Sequence, residues 1–119
     1  MRRQRSLLAK LVITMLALLV TSAVVPGISI TGVGAGFLAA IIFGLVNIFL
    51  KPIFIIFTIP ITVFTFGIFL LVINGLMLWI TSEIVSGFSI SGLGSAIVGS
   101  ILLSIVTWMI NSILDNNRV

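Results

Sequence analysis

The side chains able to do chemistry are few, and their types are restrictive. The carboxylates are Glu83 and Asp115, and the bases are Arg2, Arg3, Arg5, Lys10, Lys51 and Arg118; histidine, cysteine and tyrosine are absent. Zinc, haem and iron–sulfur sites therefore lose their usual ligands, and nucleophile–base pairs lose their commonest partners. A general acid–base pair needs two groups within reach of one substrate, and the topology derived below sets Glu83 and Asp115 on opposite faces of a membrane. Without cysteine there is no disulfide, and the redox compartment is not legible. What remains is Asn47, Asn74 and Lys51, each embedded in apolar sequence. Polar residues in such surroundings are the default functional candidates, as ligands or as interhelical hydrogen-bonding groups. These residues imply no catalytic site, no metal and no cofactor.

The elements that must position these residues follow from composition. Of 119 residues, 61% are hydrophobic and 7% charged, with a mean hydropathy of +1.48. Typical soluble chains carry about 25% charged residues, so this composition specifies an integral membrane protein. Apolar runs of helix-spanning length cover about Leu7–Val25, Gly34–Leu50, Ile61–Ser82 and Leu93–Leu114. Strict alternation is missing from them, which argues against a barrel. The first run imitates a signal peptide, with a basic start and small residues at Thr21-Ser22-Ala23. Its counterpart inside the chain argues instead that it is retained.

That counterpart is an internal repeat. Shifting the sequence by sixty residues lays TSAVVPGISITGVG (Thr21–Gly34) on TSEIVSGFSISGLG (Thr81–Gly94), with eight of fourteen positions identical. Gly27, Gly32 and Gly34 fall on Gly87, Gly92 and Gly94. Each unit holds two spans, and an even number of spans returns the chain to its starting side. The predicted fold is therefore an all-α membrane protein of four transmembrane helices, built as two parallel helix-hairpin repeats about a pseudo-two-fold along the membrane normal. Residues 1–119 form a single membrane domain, with repeat 1 over about 10–50, a linker over 51–66 and repeat 2 over about 70–114. With both termini cytoplasmic, all six basic residues lie inside and Glu83 outside, as the positive-inside rule requires. Trp79 and Trp108 then fall at headgroup level. Lys51 becomes a cytoplasmic anchor whose ammonium snorkels to the headgroups.

Three further features concern packing. Gly36, Ala40 and Gly44 recur at every fourth position, and Ala96, Ser100 and Ser104 repeat the stripe sixty residues on. Such stripes let helices approach closely, either the second span on the fourth or one copy of the chain on another in a homo-oligomer; Ile42, off the stripe, reads as lipid-facing. The outer loops, Pro26, Gly27 to Gly32 and Gly87 to Gly92, alternate apolar and hydroxyl residues between glycines. Open backbone is costly near hydrocarbon, so Ile28–Ile30 and Phe88–Ile90 are expected to pair as a short antiparallel β-ribbon. Segment 51–66, KPIFIIFTIPITVFTF, is apolar yet interrupted by Pro52 and Pro60. It reads as an interfacial or re-entrant linker bending near Pro60, or as two helices extended toward a tight turn.

The motifs VVPGISITG, GLVNIFLKPI, TIPITVFTFGIFLLVINGLMLWI and GFSISGLGSAIVGSILLSIV, in this order, resemble the small four-span phage-holin family named after a mycobacteriophage holin. The resemblance runs from about Ile13 to Leu114. It implies four transmembrane helices and the bacterial cytoplasmic (inner) membrane, and it carries over no catalytic residue. Members commonly read Pro-Gly in both loops, whereas this chain has Ser86 opposite Pro26.

Three functional classes follow. The resemblance implies pore formation by self-association, although no span reads as carrying the continuous polar face a water-filled pore requires. A non-enzymatic envelope scaffold or stress-related protein is the second class. A minimal transporter or lipid-moving protein, with Asn47 and Asn74 along its path, is the third. The partners implied are the lipid bilayer and further copies of the chain, with no nucleic acid, because no basic patch interleaves with aromatics. A protein partner is not identified by the sequence.

Overall fold

A computed structural model of the chain describes residues 7–116, with side chains as far as Leu114. Arg2, Arg3, Arg5 and Arg118, which carry much of the orientation argument, lie outside the described residues, as does the Asp115 side chain. The elements in order are α1 (Leu7–Val24), β1 (Ile28–Ile30), α2 (Val33–Phe49), α3 (Lys51–Phe57), α4 (Ile59–Phe64), α5 (Phe69–Ile84), β2 (Phe88–Ile90) and α6 (Leu93–Asn116). Around the bundle α1 packs on α2, α2 on α5, α5 on α6 and α6 back on α1.

The two strands pair antiparallel, with Ile28 opposite Ile90, Ser29 opposite Ser89 and Ile30 opposite Phe88. Beyond the strands the ladder continues, the Thr31 N–H donating to the Gly87 carbonyl and the Ser91 N–H to the Gly27 carbonyl, each at 2.8 Å. Gly27 and Gly87 have φ of 93° and 89°, a left-handed conformation that costs glycine little and other residues more. Both hairpin connections thus turn at one end of the bundle. Ile28, Phe88 and Ile90 point inward and are buried, while Ser29 and Ser89 are exposed. Period-two alternation explains this: one face of the ribbon caps the helices and the other faces water.

Beneath the ribbon the helices pack closely. Leu18, Leu78, Val25, Val85, Ala39, Ala40 and Ala96 form one buried cluster with the ribbon's apolar residues. Thr21 and Thr81 are fully buried here, and each hydroxyl donates to the carbonyl four residues back, Ala17 at 2.8 Å and Met77 at 2.9 Å. That bond satisfies a polar group at a depth where water is absent. Gly75 permits a close approach to another helix's backbone: a β-carbon there would lie 2.8 Å from the Ile97 Cα and 2.9 Å from its nitrogen. The outward faces are apolar as well, with Leu16, Leu45, Ile48, Val98 and Ile105 exposed. Apolar residues both inside and outside define a helix bundle solvated by lipid.

The middle of the chain corrects two expected boundaries. The second span does not end at Leu50; α2 and α3 join into one apolar helix, Val33–Phe57, of 25 residues. Leu50 keeps a right-handed helical conformation, and bonds from Leu50 N–H to Val46 and from Phe54 N–H to Leu50 carry the ladder past Pro52. Proline near a helix start forfeits a single donor, so the ladder is interrupted locally and the run survives. Lys51 is therefore not at a helix end.

The third span is broken where continuity was expected from Ile61. The chain bends at Thr58 before α4, and α4 then stops at Phe64. The Gly67 N–H donates to the Thr62 carbonyl and the Phe66 N–H to the Val63 carbonyl, with Phe66 and Gly67 at φ 57° and 87°. This is a Schellman helix stop with an unusual non-glycine residue in the left-handed position. Thr65 Oγ1 then accepts from the Phe69 N–H at 3.1 Å, starting α5. The first bend thus falls at Thr58, one residue before α4, and Pro60 sits in the first turn of that helix. Ile42 also departs from expectation, lying half-buried between two packed clusters rather than facing lipid.

Candidate functional site

Away from the ribbon the bundle opens. A cavity of about 380 Å³ lies between the helices, lined by Thr14, Phe43, Asn47, Lys51, Asn74, Ser100, Leu103, Ser104, Thr107, Trp108 and Asn111. Its size falls within the range of ligand-binding pockets. Helical spacing explains how each element contributes. Asn47 and Lys51 stand four apart on the joined helix α2–α3, and Phe43 lies one turn before them. Ser100, Ser104, Thr107 and Asn111 follow at intervals of four, three and four on α6, so they share one face. α5 supplies Asn74, and α1 supplies Thr14.

The electrostatics of the cavity are one-sided. Lys51 is its single cation, and among the described residues no carboxylate lines it. Glu83 is exposed near the opposite, ribbon end of α5. The rest of the polar lining consists of neutral amides and hydroxyls. Ser100 Oγ donates to its own helix, to the Ile97 carbonyl at 2.9 Å. No side chain among the described residues hydrogen-bonds the Asn47 or Asn74 amide or the Lys51 ammonium. All three residues are half-buried, and a polar side chain that does reach hydrocarbon needs a partner there. Phe43, Leu103 and the largely exposed Trp108 supply apolar shoulders beside the polar lining.

The small-residue stripes are divided between packing and cavity. Gly36 and Ala40 are buried, and a β-carbon on Gly36 would stand 3.2 Å from Leu19 Cδ2 of α1. The partner of this face is thus α1 rather than the last helix. Gly44 has open space beside it. Ala96 and Ser100 are buried, whereas Ser104 is exposed at the cavity. Of the outer-loop residues, Pro26 is exposed and its carbonyl accepts from Ser95 Oγ at 3.2 Å. Gly27 and Gly87 are the turn residues flanking β1 and β2, and Gly32 and Gly92 precede α2 and α6.

Thr14, Thr107 and Asn111 were not singled out from sequence. The expectation that no span carries a continuous polar face is corrected for α6, where the Ser100–Asn111 stripe runs along the cavity. Its four-three-four spacing was legible, but the intervening leucines, isoleucines and valine mask it in any hydropathy average.

Apolar outward faces around a half-open cavity with amide and hydroxyl side chains in its lining define a polytopic helical membrane protein. The chain belongs to the family described as mycobacterial 4 TMS phage holin, superfamily IV, whose pattern it matches over residues 5–109. It is 38% identical over 96 residues to the uncharacterized membrane protein YvlD of Bacillus subtilis, covering 80% of this chain and 81% of YvlD. It is also 38% identical over 81 residues to the uncharacterized protein SCO3922 of Streptomyces coelicolor, covering 65% of each chain. No solved structure matches the chain.

Proposed function

We propose that this protein is a non-enzymatic minimal carrier of the bacterial inner membrane, taking a small polar or amphiphilic molecule into its internal cavity. The observation that carries the reading is the convergence of Asn47, Asn74 and Lys51, from separate stretches of sequence, on one cavity with the polar face of α6. Closure of the bundle by the ribbon and the cluster beneath it makes this a one-sided vestibule, as alternating access requires of one of its states. The matched hydrogen bonds at Thr31 and Ser91 support two parallel hairpin repeats. In that arrangement four spans place the ribbon outside and both termini in the cytoplasm. α5, with 16 residues, rises about 24 Å and needs segment 65–68 or a thinned bilayer to complete its crossing.

Reconstitution tests the carrier. Liposomes containing the protein and a headgroup-labelled fluorescent lipid are treated with an impermeant quencher, and release of a trapped dye is followed in parallel. Quenching of inner-leaflet lipid without dye release, diminished in N47A and N74A, is the expected result. If neither signal exceeds that of protein-free liposomes, the protein does not move lipid and the carrier reading fails for amphiphilic cargo.

Pore formation by self-association is the second reading, favoured by the family relationship and by the open space beside Gly44 on the α2 stripe. Dye release rising steeply with protein density, and loss of membrane potential on expression in cells, would establish it in place of the carrier.

A further inference from the structure

We propose that the cavity lined by Lys51 binds a phosphate-type oxyanion, and this assignment rests on the cavity being a ligand site as argued above. The chemistry of the lining selects the class. A lone ammonium surrounded by amide and hydroxyl groups, with no described carboxylate, supplies donors without a competing negative charge. A cationic ligand would meet Lys51 with like charge and find no counter-ion among the described lining, and a neutral one would gain nothing from that charge.

The position of Lys51 adds a second constraint. It lies inside the 25-residue helix Val33–Phe57 rather than at its end, one helical turn from Asn47 and on the same face. A lysine within an apolar helix, half-buried and lining a half-open cavity, can pair with a bound anion, with Asn47, Asn74 and Thr107 on elements that can hold further anion oxygens. The apolar shoulder is the third observation. Phe43, Leu103 and exposed Trp108 border the polar lining, so an anion carrying acyl chains can keep its oxygens in the cavity and its chains against these residues. A phospholipid headgroup and free inorganic phosphate share this anion chemistry, and the experiment separates them.

Trp108 is a reporter already in place at the cavity. In W79F it is the single tryptophan, because the chain has two. The W79F protein in phosphatidylcholine nanodiscs is titrated by raising the phosphatidylglycerol fraction, and separately with inorganic phosphate, while Trp108 emission is recorded. A saturable change with phosphatidylglycerol and none with phosphate assigns a lipid headgroup; a saturable change with phosphate assigns the free anion. In either case K51Q should weaken the response about tenfold or more, as expected for removing a charge-assisted bond. S29A, in the distant ribbon, should leave it unchanged. Thermal unfolding of the unmodified protein with each additive is the second measurement, and it does not depend on W79F folding. The same response in K51Q as in the parent, or no anion-dependent change in either measurement, overturns the proposal. Anion binding without lipid movement in the liposome assay would remove the carrier and leave this site standing; lipid movement indifferent to K51Q and to headgroup charge would do the reverse.

Discussion

Ser29 stands directly opposite Ser89 in the ribbon, each serine facing the residue sixty positions away in sequence. An antiparallel pair centred in this way is what a two-fold axis through the ribbon produces, since rotation reverses every in-plane direction. Ile28 stands against Ile90 and Ile30 against Phe88, the register such an axis would require. Pairing here answers an energetic demand: backbone donors and acceptors next to hydrocarbon are costly unless bonded. A two-stranded ribbon is marginal alone, and here the buried Ile28, Phe88 and Ile90 tie it to the helices below.

Because the chain lacks cysteine, the ribbon can be tested by S29C/S89C without further substitutions. Facing residues in such a bonded pair have Cα atoms about 5.5 Å apart, within disulfide reach. Mild oxidation should give a cross-linked species that still migrates as a monomer on a denaturing gel. A cross-linked dimer would mean that the strands pair between copies.

The contact of Gly75 with the Ile97 backbone should tolerate little added bulk. G75A would press a methyl group against Ile97 backbone atoms at under 3.0 Å, forcing helices α5 and α6 apart at a cost of about 1–3 kcal/mol. G94A, with nothing within 4 Å of the new carbon, should be neutral or stabilising by up to about 1 kcal/mol. Thermal unfolding in one detergent compares them directly, and equal melting temperatures would contradict the packing.

Bulk on the α2 stripe separates folding from assembly. A40L should destabilise the fold by about 1–3 kcal/mol, since Ala40 is 1% exposed. I48L, at a lipid-facing position 65% exposed, should change stability by less than about 0.5 kcal/mol. G44L enters open space and should melt near the parent temperature. Sedimentation of G44L then tests the homo-oligomer seam: reduced self-association at unchanged stability would locate a contact between copies at Gly44.

The helix stop before α5 carries strain that substitution can relieve. Phe66 holds φ 57° while 96% exposed, and a non-glycine residue in this conformation costs roughly 1–2 kcal/mol. F66G should raise the unfolding temperature in detergent, where the ring's contact with lipid headgroups no longer matters. A lower unfolding temperature would indicate that the ring, not the backbone, governs this turn.

Much of the architecture was legible without coordinates because its causes are local or additive. Composition alone requires lipid as solvent, since 7% charged residues cannot coat a water-soluble surface. The register of Gly27 with Gly87, and the alternation after each, specify two short strands that have each other as the nearest equivalent partner. The helix stop at Phe66-Gly67 was less accessible. Sequence offers two prolines nearby as stronger breakers, yet Pro52 sits early in a turn where its missing donor is tolerated, and Phe66 takes a conformation usually left to glycine.

The candidate site divides in the same way. Helical periodicity alone determines that Asn47 and Lys51 share a face, and that Ser100, Ser104, Thr107 and Asn111 share another. It does not determine which neighbour each face meets. Among apolar helices in lipid the hydrophobic effect gives no direction, so rotation and partner are set by close packing, at Gly36 on α1 and Gly75 on α6. Only that packing brings both polar faces to one half-open cavity, adds Asn74 and Thr14 from two other helices, and leaves Lys51 as the single cation among the residues lining it.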